Sequence, residues 1–206
     1  MIHIIDYGRG NLNNVRKAFL SFGYEAKIIE NPNEIDNSQG LVLPGVGAFG
    51  DSMNCLNDQG FSDKIREYIN LGKPFLGICL GLQLLFEESD EFGYKKGLAV
   101  IKGHVTRFKI KDKVPHIGWN QAEFKKTSCI FTGIPNESYF YFVHSYYAIP
   151  EDNSIILATT HYGVDFTSAV EHKNIYATQF HPEKSQTLGL RIIKNFGDIC
   201  VNYSSS

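Results

Sequence analysis

The sequence predicts an α/β domain with a mostly parallel central sheet flanked by helices, and additional antiparallel strands in the second half. Two features carry this. In the first half, short apolar runs alternate with segments of helical period across brief connections, the pattern of strands buried on both faces by helices. In the second half, runs of β-branched and aromatic residues follow one another and end in an amphipathic segment. With 43% hydrophobic residues, including 15 Phe and 11 Tyr, the chain of 206 residues can bury such a core.

Residues 2–5 read as a buried strand and 6–10 as a loop. Leu12, Val15, Ala18, Phe19 and Phe22 then recur at helical spacing until Gly23 stops the pattern. Residues 26–29 and 41–43 are two further strands. Phe61, Ile65, Tyr68 and Ile69 mark a helix that Gly72-Lys73-Pro74 ends. Residues 75–78 form the next strand, and 80–86 a helix entered straight from it. Five strand-like runs follow, at 105–110, 139–143, 155–160, 167–171 and 175–180. The last helix places Leu188, Ile192, Ile193, Phe196 and Ile199 on one face. One domain over residues 1–203 is expected, with 204–206 as a frayed tail.

Composition removes several function classes. Twenty basic against 22 acidic side chains leave a net charge of −2, and no basic run exceeds Lys95-Lys96 or Lys125-Lys126. Nucleic acid is therefore not an expected partner, since counterion release needs clustered cations. No apolar run approaches the roughly 18 residues of a membrane span. The start of the chain meets Asp6 at once and lacks the basic, then apolar, pattern of a signal peptide. Cys55, Cys79, Cys129 and Cys200 form no CxxC and no Cys/His cluster, so neither a metal site nor a disulfide framework is expected. Reduced thiols fit a cytoplasmic protein.

The chemistry is concentrated in Gly77-Ile78-Cys79-Leu80-Gly81, where an apolar strand runs directly into a helix. This is a nucleophile elbow with Cys in place of Ser. The flanking glycines allow a sharp turn that lifts the thiol clear of the sheet. The start of the helix favours the thiolate, and the Leu80 N–H is left as a donor for an oxyanion. A lone cysteine is more often a buried core thiol, as Cys55, Cys129 and Cys200 are read to be, but glycines on both sides at a strand–helix junction reverse that reading for Cys79.

A thiol nucleophile needs a base and an orienting group. His181-Pro182-Glu183 supplies both: at strand positions i and i+2 the two side chains project to one side, and Pro182 ends the strand there. His144 competes for the base role but has no carboxylate close in sequence. Gly45-Val46-Gly47-Ala48-Phe49-Gly50 matches a dinucleotide fingerprint. It follows a third strand and Pro44, however, and Glu67, about the distance of the expected ribose carboxylate, falls in a helix. Close backbone approach to a substrate, with N–H groups aimed at an oxyanion, is the preferred use of these glycines.

Pro44-Gly45-Val46-Gly47, Gly77–Gln83 and His181-Pro182-Glu183 together resemble the class I, triad-type glutamine amidotransferases. Asp6-Tyr7-Gly8, Asn11, Pro115–Asn120 and His144–Tyr147 narrow the resemblance to the glutaminase subunits of imidazole glycerol phosphate synthases, in order along nearly the whole chain. The resemblance implies the single-domain class I fold and glutamine hydrolysis by a Cys79–His181–Glu183 triad with no cofactor. It implies an oxyanion hole at Gly45, Val46 and Leu80, and glutamine bound by Gly47, Gln83, Glu91, Ser145 and Tyr146. Glu91 has a competing reading as a solvated helix-end carboxylate. The implied partner is a (β/α)₈ cyclase subunit, forming a heterodimer and receiving ammonia through an internal tunnel. The rivals are a paralogue serving another ammonia-consuming synthase and an inactive regulatory subunit; the intact triad residues speak against the second.

Overall fold

The computed structural model describes residues 1–204. Strands β1 (Ile2–Ile5), β2 (Ala26–Ile29), β3 (Gly40–Gly45) and β4 (Phe75–Cys79) alternate with helices α1 (Leu12–Leu20), α2 (Phe49–Asp58) and α3 (Phe61–Asn70). After β4 come the single turn α4 (Leu80–Gln83), then β5 (Phe86–Ser89), β6 (Lys95–Lys96), β7 (Ile101–Arg107) and β8 (His116–Phe124). Strands β9 (Ser138–His144), β10 (Tyr146–Pro150), β11 (Ile156–His161), β12 (Asp165–His172) and β13 (Ile175–Thr178) lead to α5 (Gln186–Ser204). Ser204, expected in the frayed tail, is thus helical, and Ser205 and Ser206, the rest of that tail, lie outside the described residues.

One nine-stranded sheet runs in the order β2-β1-β3-β4-β13-β12-β11-β8-β9. The pairings from β2 through β13 are parallel, and those from β13 through β12 and β11, and of β8 with both neighbours, are antiparallel. A second sheet, β10-β7-β5-β6, packs beside it. Period-two alternation splits the core between two faces. Ile2, Ile4, Val42, Leu76 and Tyr176 face one cluster with Val15 and Phe19 of α1 and Ile192, Ile193 and Phe196 of α5. Ile5, Leu41, Leu43, Phe75 and Ala177 face the other with Met53 of α2 and Phe61, Ile65 and Ile69 of α3. Among the described residues no helix is long and apolar enough to cross a membrane.

Phe196 joins α5 to the sheet face, with ring contacts to Phe19 at 6.2 Å and Tyr176 at 6.4 Å. Phe196→Ala should leave a cavity there and cost about 3–5 kcal/mol, read as a lowered denaturation midpoint in urea.

Several local expectations need correction. The helix expected over 80–86 is one turn, and Phe86 already belongs to β5. Leu85 N–H bonds the Leu82 carbonyl three residues back, tightening the turn to its end. So short a helix has little macrodipole to offer Cys79. The strand expected over 175–180 stops at Thr178, and Glu183 lies in a 3₁₀ turn, Pro182–Lys184, with His181 capping it. Proline at the head of that turn fixes the change, so His181 and Glu183 meet across a turn rather than along a strand. The strand expected at 105–110 is β7, several residues earlier. Helix α2 and strands β5, β6, β8 and β10 were not expected.

Candidate active site

The parallel strands end together at one edge of the sheet, and β4 ends there in Cys79 with φ 56° and ψ −108°. A non-glycine residue at positive φ costs of order 1–3 kcal/mol and persists only where its surroundings enforce it. Here the enforcement is close packing. A Cβ on Gly81 would lie 1.8 Å from the Leu43 carbonyl oxygen, and one on Gly77 would lie 2.8 Å from that of Gly81. The two glycines let α4 sit directly against β3 and β4, and Cys79 absorbs the resulting turn. Gly45 is the register partner of Cys79 on β3, so the glycine loop starts beside the sulfur. Leu80 opens α4, so its N–H is one of those at the head of a helix with no intrahelical acceptor.

His181 and Glu183 are buried, with Nδ1 of the ring 2.9 Å from Glu183 Oε1. That bond makes Nδ1 the donor to the carboxylate and leaves Nε2, which is buried without a hydrogen-bond partner. Burial pulls the His181 pKa down, but the charge and hydrogen bonding of the Cys79 sulfur, with those of Glu183, push it up to about 10. The protonated ring is therefore favoured, with the Glu183 carboxylate on its Nδ1 side and Nε2 left for the reacting groups. A thiol and such a ring together can attack an electrophilic carbon and protonate the group that leaves.

A pocket of ≈ 420 Å³ opens over the sulfur. Cys79, Leu80, His181, Val46, Gly47, Gln83, Glu91, Ser145 and Tyr146, all expected at the site, line it. Gly45 lies beneath it, where a Cβ would fall 2.5 Å from the Tyr7 hydroxyl, and Glu183 stands behind His181. Glu91 follows a strand rather than ending a helix, and it is half-buried. Its Oε2 accepts the Phe49 N–H at 2.6 Å at the start of α2. Burial raises its pKa, with Asp51 and Asp90 adding to the effect against that hydrogen bond. One carboxylate thus ties the glycine loop's helix to the pocket.

Pro115, Val143, His144 and Lys184 also line the pocket. His144 is no free base. Its Nδ1 must donate to the Tyr146 carbonyl at 2.8 Å, so its Nε2 accepts from His116 Nδ1 at 3.2 Å, and His116 Nε2 accepts from Asn120 Nδ2 at 3.3 Å. Both rings are neutral in this chain, and burial lowers the pKa of His144 to about 3 and of His116 to about 4. Gln179, not singled out in the sequence, is fully buried beside the sulfur. It lies two residues before His181, and strand periodicity could have flagged it.

The family described as Glutamine amidotransferase class-I matches residues 3–199. Imidazole glycerol phosphate synthase subunit HisH of Syntrophotalea carbinolica is 52% identical, covering 97% of this chain and 100% of its own. The protein of the same name from Desulfitobacterium hafniense is 49% identical, covering 96% of this chain and 93% of its own. A crystal structure of a putative GMP synthase component from Thermoplasma acidophilum superposes with a TM-score of 0.74 at 26% identity, covering 99% of this chain and 95% of that one.

Proposed function

The chain belongs to the class-I glutamine amidotransferases, and we propose that within them it is the glutaminase subunit of an imidazole glycerol phosphate synthase. It hydrolyses glutamine to glutamate and ammonia, and passes the ammonia to a cyclase subunit in histidine biosynthesis. The observation that carries the chemistry is Cys79 at the strained elbow, sharing one pocket with His181 while Glu183 holds the ring.

Cys79, as thiolate, attacks the side-chain carboxamide carbon of glutamine. The carbonyl oxygen takes the negative charge and is held by the Leu80 N–H and an N–H of the Gly45–Val46 segment. Collapse of this intermediate breaks the C–N bond, and His181 gives its Nε2 proton to the departing ammonia. Water, losing a proton to His181, then attacks the thioester carbon; glutamate leaves and the thiolate returns. Gly47, Gln83, Glu91, Ser145 and Tyr146 hold the backbone and amide of glutamine.

A cyclase partner is supported by an uncovered apolar face next to the site. Ile117, Trp119 and Tyr139 are 57%, 45% and 55% exposed. On the paired strands β8 and β9, Ile117 lies opposite Val143 and Trp119 opposite Tyr141. Val143 is a pocket wall, so the apolar strip begins where ammonia would be released. Exposed aromatic clusters of this kind are characteristic of partner-binding surfaces.

The test is glutamine turnover by the chain alone, with its cyclase partner, and with partner plus acceptor analogue. Hydrolysis without an acceptor wastes glutamine, and the loop holding Gly47 at φ 97° has the freedom to turn a peptide toward or away from the oxyanion. Losing one oxyanion donor costs on the order of 10²–10³ in kcat. A stepwise rise of that size, mostly in kcat rather than KM, is expected across the three conditions. Equal turnover in all three would exclude a partner-controlled oxyanion hole.

A further inference from the structure

We propose that Gln179 is a hydrogen-bond donor to the Cys79 sulfur, held in that orientation by Gln83; the inference rests on Cys79 being the nucleophile. The Gln179 side chain is fully buried, with Nε2 3.7 Å from Sγ. Its orientation is set by what lies behind it. Gln83 places its Nε2 2.9 Å from the Tyr146 carbonyl, and a carbonyl accepts only from the NH₂ end of an amide. The same NH₂ lies 2.9 Å from the Gln179 amide, so the atom of Gln179 facing it must be the oxygen. The Gln179 NH₂ is thereby turned to the sulfur. Its backbone is pinned as well, with the Gln179 N–H on the Ser168 carbonyl at 2.8 Å.

A donor is useful at that place. On another side of the sulfur stands the Val143 carbonyl oxygen, 4.0 Å away, which accepts from a thiol and repels a thiolate. His181 is protonated whenever the sulfur carries charge, before attack and again once water has given it a proton, so the amide adds to that pairing rather than replacing it. The amide N–H does not titrate. It stabilises the thiolate before attack and again when the thioester breaks and sulfur leaves. A donor to an ionised acceptor in a water-poor site is stronger than one between neutral groups. Gln83 then has a positioning role beyond contact with glutamine, because it fixes which end of Gln179 meets the sulfur.

The experiment follows alkylation of Cys79 by iodoacetamide in the full chain, read on the Cys79 peptide by mass spectrometry across pH. In Gln179→Met, which fills similar space without a donor, the rate at neutral pH should fall about tenfold. The midpoint of the rate profile should rise by about one pH unit, and the rates should converge at high pH. Gln179→Glu keeps an acceptor for Gln83 but turns an oxygen to the sulfur, so its rate at neutral pH should fall further. If both variants keep the wild-type profile, with or without a lower melting temperature, Gln179 only packs and the proposal is overturned. Glutamine turnover in Cys79→Ala is measured beside them: activity retained there sinks the nucleophile reading itself, which the Gln179 profiles do not decide.

Discussion

Cys79→Ala should lose glutamine-dependent synthesis by on the order of 10⁵–10⁶ in kcat, the scale on which removing an acyl-transfer nucleophile acts. Synthesis from added ammonium salt should continue in the reconstituted complex, because the acceptor half of the reaction needs only ammonia. Cys79→Ser should fail nearly as completely, since a hydroxyl ionises far less readily than a thiol beside the same imidazolium. No other cysteine can substitute. Cys55 is half-buried on α2, Cys129 is exposed beside Tyr176, and burial pushes the Cys200 thiol up, away from reactivity. The pocket holds a single sulfur. Parallel assays with glutamine and with ammonium salt separate loss of the nucleophile from loss of the fold. Glutamine hydrolysis retained in Cys79→Ala would remove Cys79 from the chemistry.

The parallel half of the sheet was legible because its inner strands are buried on both faces. Phe75–Cys79 therefore reads as an apolar run, and Ile2–Ile5 is broken only by the buried His3. The same property misled at 80–86, where Leu84, Leu85 and Phe86 continue an apolar run that periodicity cannot divide between helix and strand. Strand β8 was hidden by an inverted pattern: His116 points inward to an aromatic cluster while Ile117 and Trp119 face out. Helix α2 buries Phe49, Ser52, Met53 and Leu56, but it starts inside the glycine stretch, whose residues read as loop. At the site, residues within one contiguous motif could be named from sequence. Val143 could not, because strand order, not sequence distance, brings it to the pocket, whereas Gln179 and Lys184 flank the His181–Glu183 motif and only period-two spacing points to Gln179.

His181 and Glu183 should separate in both rate and pH. His181→Asn removes the acid for ammonia and the base for water, so kcat/KM should fall on the order of 10²–10⁴. Glu183→Gln can still accept the Nδ1 hydrogen through its amide oxygen but no longer neutralises the imidazolium. The charge in that bond is worth roughly 10- to 10²-fold. Because Glu183 helps hold the His181 pKa at about 10, its loss should also move the alkaline limb of the rate profile to lower pH. Stability carries the same sign. The His181 pKa lies higher in the fold than the 6.5 of an unperturbed ring, so protonation favours the folded state. That contribution is fully present below pH 6.5 and is lost as pH rises through about 10. Over this window the wild-type melting temperature should fall more steeply than that of His181→Asn, which has no such group to titrate. Single-turnover acylation across pH tests the division of roles: matching rates and profiles in the two variants would overturn it.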